Sequence, residues 1–259
     1  MKCTEIIKKL EQLFPPALAE TYDNVGLLAG RPDKEIKRIY LAVDPTDAVV
    51  DDALLKQADL LLTHHPLIFR PMKRIVTDDF IGRRVYTLIR NDICYYALHT
   101  NYDTVEMADA AAMMLDLQER RVLKPAAHPE TQEGIGRIGR LPQRMTLREC
   151  AQLVKERFDL PTVRIYGDQD QTVEWAAISP GSGRSVLQAA VSSPANLLIT
   201  GDIDHHDGLD CMAQGLPLID AGHLGLEKIF VPNMREFFRR ELPEMKLLET
   251  VTQEVFQVI

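Results

Sequence analysis

The stretch that decides the fold reads ADLLLTHHP at residues 58–66, a short apolar run that stops at two histidines and a proline. A continuous apolar run of this length is typical of a β-strand that is buried on both faces. It follows a predicted strand at 39–43 and a predicted helix at 47–57 whose inward positions are apolar. Strand, helix and strand in this order predict a parallel sheet and therefore an α/β fold.

A second copy of the pattern lies in the other half of the chain. Residues 195–200 read ANLLIT and echo ADLLLT at 58–63, and each string follows a predicted strand and helix. Further on, each half has a histidine with an acidic residue four positions later. The two pairs are His99 with Asp103 and His223 with Glu227. The repeated order of features predicts two similar α/β lobes.

The predicted lobes span residues 1–125 and 126–259, and a glycine-rich segment at about 126–145 is the expected bridge between them. The same lengths leave no room for an inserted middle domain. The chain has 38 acidic and 30 basic residues, a net charge of -8, so we do not expect it to bind nucleic acid through the phosphate backbone.

The four cysteines form no Cys-x-x-Cys pair, which argues against a zinc ribbon and against a dithiol redox motif. They are Cys3, Cys94, Cys150 and Cys211. No apolar run approaches the roughly 18 residues that a membrane span needs, so no membrane partner is expected. These features predict a protein of the reducing cytoplasm.

His64 and His65 carry the strongest local signal, because they follow an apolar strand directly. In open α/β sheets, ligands collect outside the carboxyl ends of the strands. Adjacent residues on a strand point to opposite faces, so each histidine would serve a different ion of a pair. The alternative interpretation is a polar cap at the strand end, and on this motif alone the two stand even.

The spacing of His223 and Glu227 places both side chains on one face of a helix that begins after Gly222. An imidazole and a carboxylate on one helix face are suitable metal ligands. Taken alone, a plain surface contact between the two is the better interpretation. His99 and Asp103 are read in the same way, and the metal interpretation gains weight only if all these strand ends border one cleft.

A longer ordered series of motifs resembles the NIF3 family, also described as GTP cyclohydrolase 1 type 2 homologues or dinuclear metal centre proteins. The resemblance covers nearly the whole chain. It includes AETYDNVGL at 19–27, THHP at 63–66, HTNYD at 99–103, GRIG at 136–139, GSG at 181–183, TGD at 200–202 and AGH at 221–223 followed by Glu227. Tyr22 and Asp202 depart mildly from the usual residues at their positions, and 107–110 lacks a usual glycine.

The resemblance implies an α/β fold of two similar lobes with a dinuclear metal site in the cleft between them. It places the metal ligands at His64, His65, Asp103, His223 and Glu227. By the same resemblance, Glu227 bridges the two ions, His64 and Asp103 complete one, and His65 and His223 complete the other. His99 is then a residue that orients a ligand.

Mixed imidazole and carboxylate ligands suit Zn, Mn, Fe, Co or Ni, so the sequence leaves the identity of the two divalent ions open. Five ligands leave coordination positions open to water, which suits hydrolysis by a metal pair. We therefore predict a metal-dependent hydrolase that acts on a nucleotide-like or phosphate-ester small molecule. The alternative is a non-catalytic metal-binding regulatory or interaction protein.

Several further residues are candidates for supporting roles. His205, His206, Asp202 and His99 are acid–base or ligand-orienting candidates. The Gly-Ser-Gly segment at 181–183 is a possible anion cradle, although a plain turn with a serine cap is the more common use of such a segment. The resemblance also implies a toroidal homohexamer, which nothing in the sequence periodicity indicates.

Overall fold

The computed structural model describes residues 1–127, 131–249 and 255–256 of the chain. The residues group into two compact units. Unit 1 contains Met1–Tyr102 and Phe230–Gln253, and unit 2 contains Asp103–Ile229 and Glu254–Ile259, as far as these ranges are described. Each unit is built from one β-sheet and the helices that pack on it. The predicted α/β fold is therefore confirmed.

The elements are numbered in chain order. The strands are β1 Gly26–Ala29, β2 Arg38–Ala42, β3 Leu60–Thr63, β4 Cys94–Ala97, β5 Gln118–Pro125, β6 Gly134–Thr146, β7 Arg164–Tyr166, β8 Thr172–Ser182, β9 Leu197–Gly201, β10 Leu218–Asp220 and β11 Lys246–Glu249. The α-helices are α1 Cys3–Leu13, α2 Asp47–Leu55, α3 Phe80–Arg90, α4 Thr100–Tyr102, α5 Ala108–Met114, α6 Leu147–Arg157, α7 Leu187–Val191, α8 His205–Ala213, α9 His223–Glu227 and α10 Phe230–Glu241. A π-helical turn at Asp103–Met107 joins α4 to α5, and 3-10 turns occupy Pro16–Leu18 and Gly183–Val186.

The sheet of unit 1 has the strand order β1-β4-β3-β2-β11. Strands β2, β3 and β4 are parallel, β11 is parallel to β2, and β1 is antiparallel to β4. Parallel neighbours need crossover connections, and α2 and α3 provide them. Because helices cover both faces, the central strands are apolar at nearly every position, which explains the uninterrupted run in β3.

The core of unit 1 fills both sides of this sheet. On one side Leu61 of β3 belongs to a buried cluster with Val50 of α2 and Leu88 of α3. On the other side α1 and α10 supply the apolar cover, and the rings of Phe14 and Phe237 lie 6.1 Å apart. Burial of these side chains fixes the end of β3, where His64 and His65 follow.

The sheet of unit 2 has the strand order β5-β6-β8-β9-β10-β7. Strands β8, β9 and β10 are parallel, whereas β5, β6 and β7 pair antiparallel with their neighbours. One buried cluster joins Leu198 and Leu218 of the sheet to Ala190 of α7 and Cys211 of α8. Helix α6 begins at a capping box, in which Thr146 and Glu149 each accept a hydrogen bond from the other's backbone N–H.

The two sheets share a four-strand arrangement. In unit 1 the order β1-β4-β3-β2 has one antiparallel and two parallel pairings, and in unit 2 the order β7-β10-β9-β8 has the same pairings in the same sequence. The echoing strings at 58–63 and 195–200 form the equivalent strands β3 and β9. This shared topology agrees with the prediction of two similar lobes, which came from the repeated order of sequence features.

The segment expected to bridge the lobes at 126–145 is instead largely strand. Its described part contains β6, which pairs with β5 and with β8, while residues 128–130 lie outside the described residues. Its glycines allow close strand contact, because a Cβ at Gly139 would lie 2.7 Å from the carbonyl oxygen of Gln118.

The compact units also group residues differently from the predicted halves at 1–125 and 126–259. Strand β5 pairs with β6 and so belongs to unit 2, and β11 near the C-terminal end pairs with β2 of unit 1. The pairing of β11 with β2 joins residues about 200 positions apart in the chain, whereas β5 and β6 are consecutive strands. None of the described helices combines the length and the apolarity that a membrane span requires.

Candidate metal centre

The turn after β3 is held rigidly by two buried hydroxyl groups. The hydroxyls of Thr63 and Tyr95 lie 2.7 and 2.9 Å from the carbonyl oxygen of His65. The Tyr95 hydroxyl also accepts a hydrogen bond from the backbone N–H of Leu67 at 2.7 Å. Burial raises the pKa of Tyr95, so its hydroxyl stays neutral and both donates and accepts. These bonds fix the backbone that carries His64 and His65.

Three histidines of unit 1 are held in the same way, each through its Nδ1 atom. His64 Nδ1 lies 2.8 Å from the carbonyl oxygen of Leu98. His65 Nδ1 lies 2.8 Å from Asp44 Oδ1, and His99 Nδ1 lies 2.8 Å from Asp23 Oδ1. These acceptors require a proton on Nδ1, so Nε2 is the ring atom that could bind a metal ion.

The three rings form one compact group. Their ligand nitrogen atoms lie within 4.8 Å of one another. The ring centroids of His64 and His65 are 4.9 Å apart, and the His99 centroid is 5.3 Å from the first and 5.6 Å from the second. His64 is fully buried, while the other two are half-buried. The structure thus brings His99, for which the resemblance implied only an orienting role, into the same group as His64 and His65.

The carboxylate of Asp23 anchors His99. Its side chain is fully buried, and it accepts hydrogen bonds from both the backbone N–H and the hydroxyl of Thr100. Burial by itself raises the pKa of Asp23, but the hydrogen bonds and the charge of His99 and the bonds from Thr100 outweigh it and lower the pKa to about 2. Asp23 is therefore an anion at neutral pH and keeps the Nδ1 proton of His99 in place.

Unit 2 holds a corresponding pair at the end of β10. His223 and Glu227 begin and end the short helix α9, and His223 Nε2 lies 3.1 Å from Glu227 Oε2. The other ring nitrogen, Nδ1, lies 2.7 Å from Asp202 Oδ2. The carboxylate of Glu227 is buried. His223 and Glu227 lie on one helix, as their spacing predicts, and Asp202 contacts the His223 ring; the roles of all three at a metal stay predictions.

The backbone around this pair is unusual at three positions. Gly222 has φ +76° where the chain enters α9, and Gly181 has φ +75°. A Cβ at Gly181 would lie 2.2 Å from Glu227 Oε1, so the end of β8 passes close to the carboxylate. Asp202 has φ +55°, a conformation that non-glycine residues adopt at a cost. Such backbone strain is common where geometry at a site is constrained by the surrounding fold.

The remaining predicted residues lie as follows. Asp103 is the first residue of the π-helical turn and of unit 2, and it is half-buried. His205 and His206 are exposed at the start of α8, with ring centroids 5.3 Å apart. Neither belongs to the close groups of potential metal ligands found among the described residues. Among the described residues, the side chain of Ser182 makes no capping hydrogen bond to the 3-10 turn that follows it at Gly183–Val186.

The chemistry of these residues fits divalent metal ions. Histidine ligands of a metal almost always donate their second ring N–H to a carboxylate or a carbonyl, and His64, His65, His99 and His223 all do so. Imidazole nitrogen and carboxylate oxygen are ligands of Zn and of other transition metals. A buried carboxylate such as that of Glu227 is costly unless it is paired or binds a metal.

Sequence reasoning missed the residues that orient the histidines. Asp23 lies in the motif at 19–27 without a role and Asp44 lies in no motif, because their partners are 76 and 21 residues away in the chain. Gly181 was considered for an anion cradle, and its close approach to Glu227 went unpredicted. A signal existed for Asp44 alone, since it lies two residues after β2, a strand neighbouring β3.

Comparison with known proteins identifies the family of the chain. The family model described as Duf34/NIF3 (NGG1p interacting factor 3) matches residues 1–257. A Streptomyces coelicolor protein named GTP cyclohydrolase 1 type 2 homolog is 39% identical over 232 residues, which cover 87% of this chain and 81% of that protein. A Clostridium perfringens protein of the same name is 37% identical over 229 residues, covering 88% of this chain and 87% of its own length.

Solved structures give the same result for the fold. A crystal structure of a Staphylococcus aureus protein superposes with a TM-score of 0.89 at 27% identity and covers 100% of this chain and 99% of that one. A Bacillus cereus protein related to NIF3 has a TM-score of 0.90 at 24% identity, with the same coverage, and supports the fold. The chain belongs to the Duf34/NIF3 family.

Proposed function

We propose that the chain is a hydrolase that depends on two divalent metal ions and acts on a nucleotide-like or phosphate-ester substrate. One observation carries the proposal: four histidines at strand ends engage Nδ1 with a carboxylate or carbonyl, which leaves Nε2 of each for a metal. Metal-free proteins have no general need for this uniform orientation, whereas metal sites depend on it.

The proposed ligands are His64, His65, Asp103, His223 and Glu227. The family resemblance supports this set, with Glu227 shared by both ions. The described geometry supports it separately in each unit, through the orientation of His64 and His65 in unit 1 and of His223 beside Glu227 in unit 2. The metal identity is one of Zn, Mn, Fe, Co or Ni.

In this mechanism, carboxylate side chains orient the histidine ligands, and other side chains transfer protons. Asp44 and Asp202 accept hydrogen bonds from Nδ1 of His65 and His223, which fixes the orientation of both rings. Bound divalent ions supply Lewis acidity, which makes water a better nucleophile near neutral pH. His205 and His206, exposed at the start of α8, are the proposed proton donors to the leaving group.

The relatives carry the name GTP cyclohydrolase 1 type 2 homolog, and that name suggests GTP as one substrate to test. Hydrolysis of a phosphate ester and opening of a purine ring both require an activated water, so one metal pair suits either reaction. The proposal therefore covers nucleotides as a class and includes GTP in the first panel of compounds.

A single-turnover assay tests the proposal. Protein loaded with each metal in turn is compared with chelator-stripped protein on GTP, other nucleotides and phosphodiesters. We expect turnover only with metal, and loss of at least about 100-fold in Asp103→Ala and Glu227→Gln, because each removes a carboxylate ligand. Glu236→Gln is the control, since Glu236 is an exposed carboxylate of α10 that pairs with Arg239.

Two outcomes would overturn the hydrolase. Turnover that survives metal removal, or that persists in Glu227→Gln at the rate of the Glu236→Gln control, contradicts a metal-dependent reaction. Stoichiometric metal binding with no turnover of any compound in the panel favours the alternative, a non-catalytic metal-binding regulatory protein.

We also propose self-association into a homohexamer, which the family resemblance supports. Light scattering of the purified chain at micromolar concentration measures this directly. A monomer at that concentration contradicts the proposal, and it leaves the metal chemistry of each subunit to be judged by the assay above.

A further inference from the structure

Two aromatic side chains of unit 1 are exposed next to each other. Tyr22 has 60% and Phe69 has 43% of its surface exposed. Their ring centroids lie 6.4 Å apart in an edge-to-face arrangement with an interplanar angle of 66°. Large aromatic residues are usually buried, and an exposed cluster of them commonly marks a place where something binds.

This aromatic pair borders the histidine group. The Phe69 ring lies edge-on to the His99 ring at 6.2 Å, and His99 belongs to the group with His64 and His65. Tyr22 directly precedes Asp23, whose carboxylate holds His99. Tyr22 is thus adjacent in the chain to the carboxylate that holds His99, and the Phe69 ring lies against the His99 ring itself.

Phe69 also lines a cavity of about 360 Å³ beneath the loop that follows His65. The lining consists of residues 67–72 together with Asp79 and Ile81. Most of these side chains are apolar, and Arg70 adds a guanidinium with N–H donors. An apolar cavity of this size with a few polar groups is characteristic of a small-molecule site.

The loop is basic up to residue 77, ahead of Asp78 and Asp79 at its end, although the chain as a whole is acidic. Residues 66–77 contain Arg70, Lys73 and Arg74 and no acidic residue, whereas the net charge of the chain is -8. All three basic residues are exposed. Local positive charge beside an aromatic surface favours a ligand that combines a planar ring with a negative group.

We infer that Tyr22, Phe69 and Arg70 form a subsite for the heteroaromatic ring of a nucleotide. The ring stacks on the aromatic pair, and the Arg70 guanidinium donates hydrogen bonds to the acceptor atoms on its edge. The inference rests on the proposed function, since it places the ring of that function's substrate beside the histidines. It narrows the substrate class from phosphate esters in general to nucleotides.

Binding measurements on metal-loaded protein test the subsite without requiring turnover. Isothermal titration calorimetry with GMP and with ribose 5-phosphate separates the contribution of the ring from that of the sugar phosphate. Stacking of a base on an aromatic side chain accounts for roughly a 5- to 150-fold effect on affinity when the side chain is replaced by alanine. We expect Phe69→Ala and Tyr22→Ala each to weaken GMP binding by about tenfold and to leave ribose 5-phosphate within about twofold.

Tyr86→Ala is the matched control, because Tyr86 is an exposed aromatic residue of the same unit on α3. Unchanged GMP affinity in both Phe69→Ala and Tyr22→Ala overturns the subsite, and so does equal affinity of the unmodified protein for GMP and ribose 5-phosphate. If these variants change only the oligomeric state seen by light scattering, the aromatic pair is an interface and the inference is wrong. GMP bound through Phe69 but never hydrolysed supports the subsite and contradicts the hydrolase. Phosphodiester hydrolysis at an unchanged rate in Phe69→Ala and Tyr22→Ala supports the hydrolase and contradicts the subsite.

Discussion

Adding a single methyl group at Gly181 should lower the metal affinity more than a methyl group at a comparable glycine elsewhere in the fold. Its φ of +75° belongs to the left-handed region, where an alanine costs about 1–2 kcal/mol. In addition, the new Cβ would lie 2.2 Å from Glu227 Oε1. Since nonbonded contacts need about 3.5 Å, the carboxylate has to move by about 1 Å. Metal–oxygen bonds tolerate only about 0.2 Å.

We therefore expect Gly181→Ala to lower metal affinity by at least about tenfold to 100-fold, the range seen when a ligand loses its support. Gly215→Ala is the matched control. Gly215 has φ +76° and no heavy atom within 4 Å of a built Cβ, so it carries the same backbone strain without a displaced neighbour. In metal-free protein, Gly215→Ala should lose about 1–2 kcal/mol of unfolding free energy, and Gly181→Ala should lose more because the contact with Glu227 adds to the same backbone strain.

The assays are denaturant unfolding of metal-free protein and competition with a chelator for the bound metal. Only Gly181→Ala should lose metal affinity. In the double variant Gly181→Ala with Glu227→Gln, the alanine should add little to the loss caused by the glutamine, because both act through the same carboxylate. Metal affinity in Gly181→Ala equal to that of Gly215→Ala would refute the reasoning.

Three further predictions concern side chains that orient or stabilise the fold. Asp202→Asn should weaken metal binding by about 10- to 100-fold, because an amide no longer holds the Nδ1 proton of His223 as a carboxylate does; unchanged affinity in chelator competition contradicts this role. Arg137→Lys should cost about 2 kcal/mol of unfolding free energy, since the buried guanidinium bonds two carboxylates and two carbonyls; denaturant melts that match the unmodified protein contradict it. The pKa of Asp52 is lowered by a hydrogen bond from Lys56 and, to a smaller extent, by one from Tyr40. The contribution of Asp52 to stability is therefore present above its ordinary pKa of 3.8 and is lost as the pH falls through its lower pKa in the folded protein. The stability difference between the unmodified protein and Asp52→Asn should therefore shrink below about pH 4 in urea melts, and a constant difference would contradict the pKa shift.

The two units place one candidate histidine each after equivalent strands of their sheets. In each unit the strand that precedes a candidate histidine has one antiparallel and one parallel neighbour, β4 before His99 and β10 before His223. Both histidines then bond a carboxylate through Nδ1. The partners come from different places, Asp23 before β1 in one unit and Asp202 after β9 in the other. The strand frame is repeated, while the supporting carboxylates are particular to each unit.

The sequence by itself determined what depends on neighbours in the chain. The apolar strings of β3 and β9, the capping box of Thr146 and Glu149, and the spacing of His223 and Glu227 each follow from local periodicity. These features identified the parallel α/β core and located histidines at strand ends. The assignment of five metal ligands goes beyond them and remains a prediction.

Only the tertiary structure decided which groups meet across long stretches of chain. It pairs β11 with β2, makes β6 a strand in spite of its glycines, and carries Asp23 and Asp44 to the Nδ1 atoms of His99 and His65. Periodicity cannot predict such contacts, because they depend on strand order and on close packing of both sheet faces. The approach of Gly181 to Glu227 is of the same kind: the chain signals a turn, and the fold determines what that turn touches.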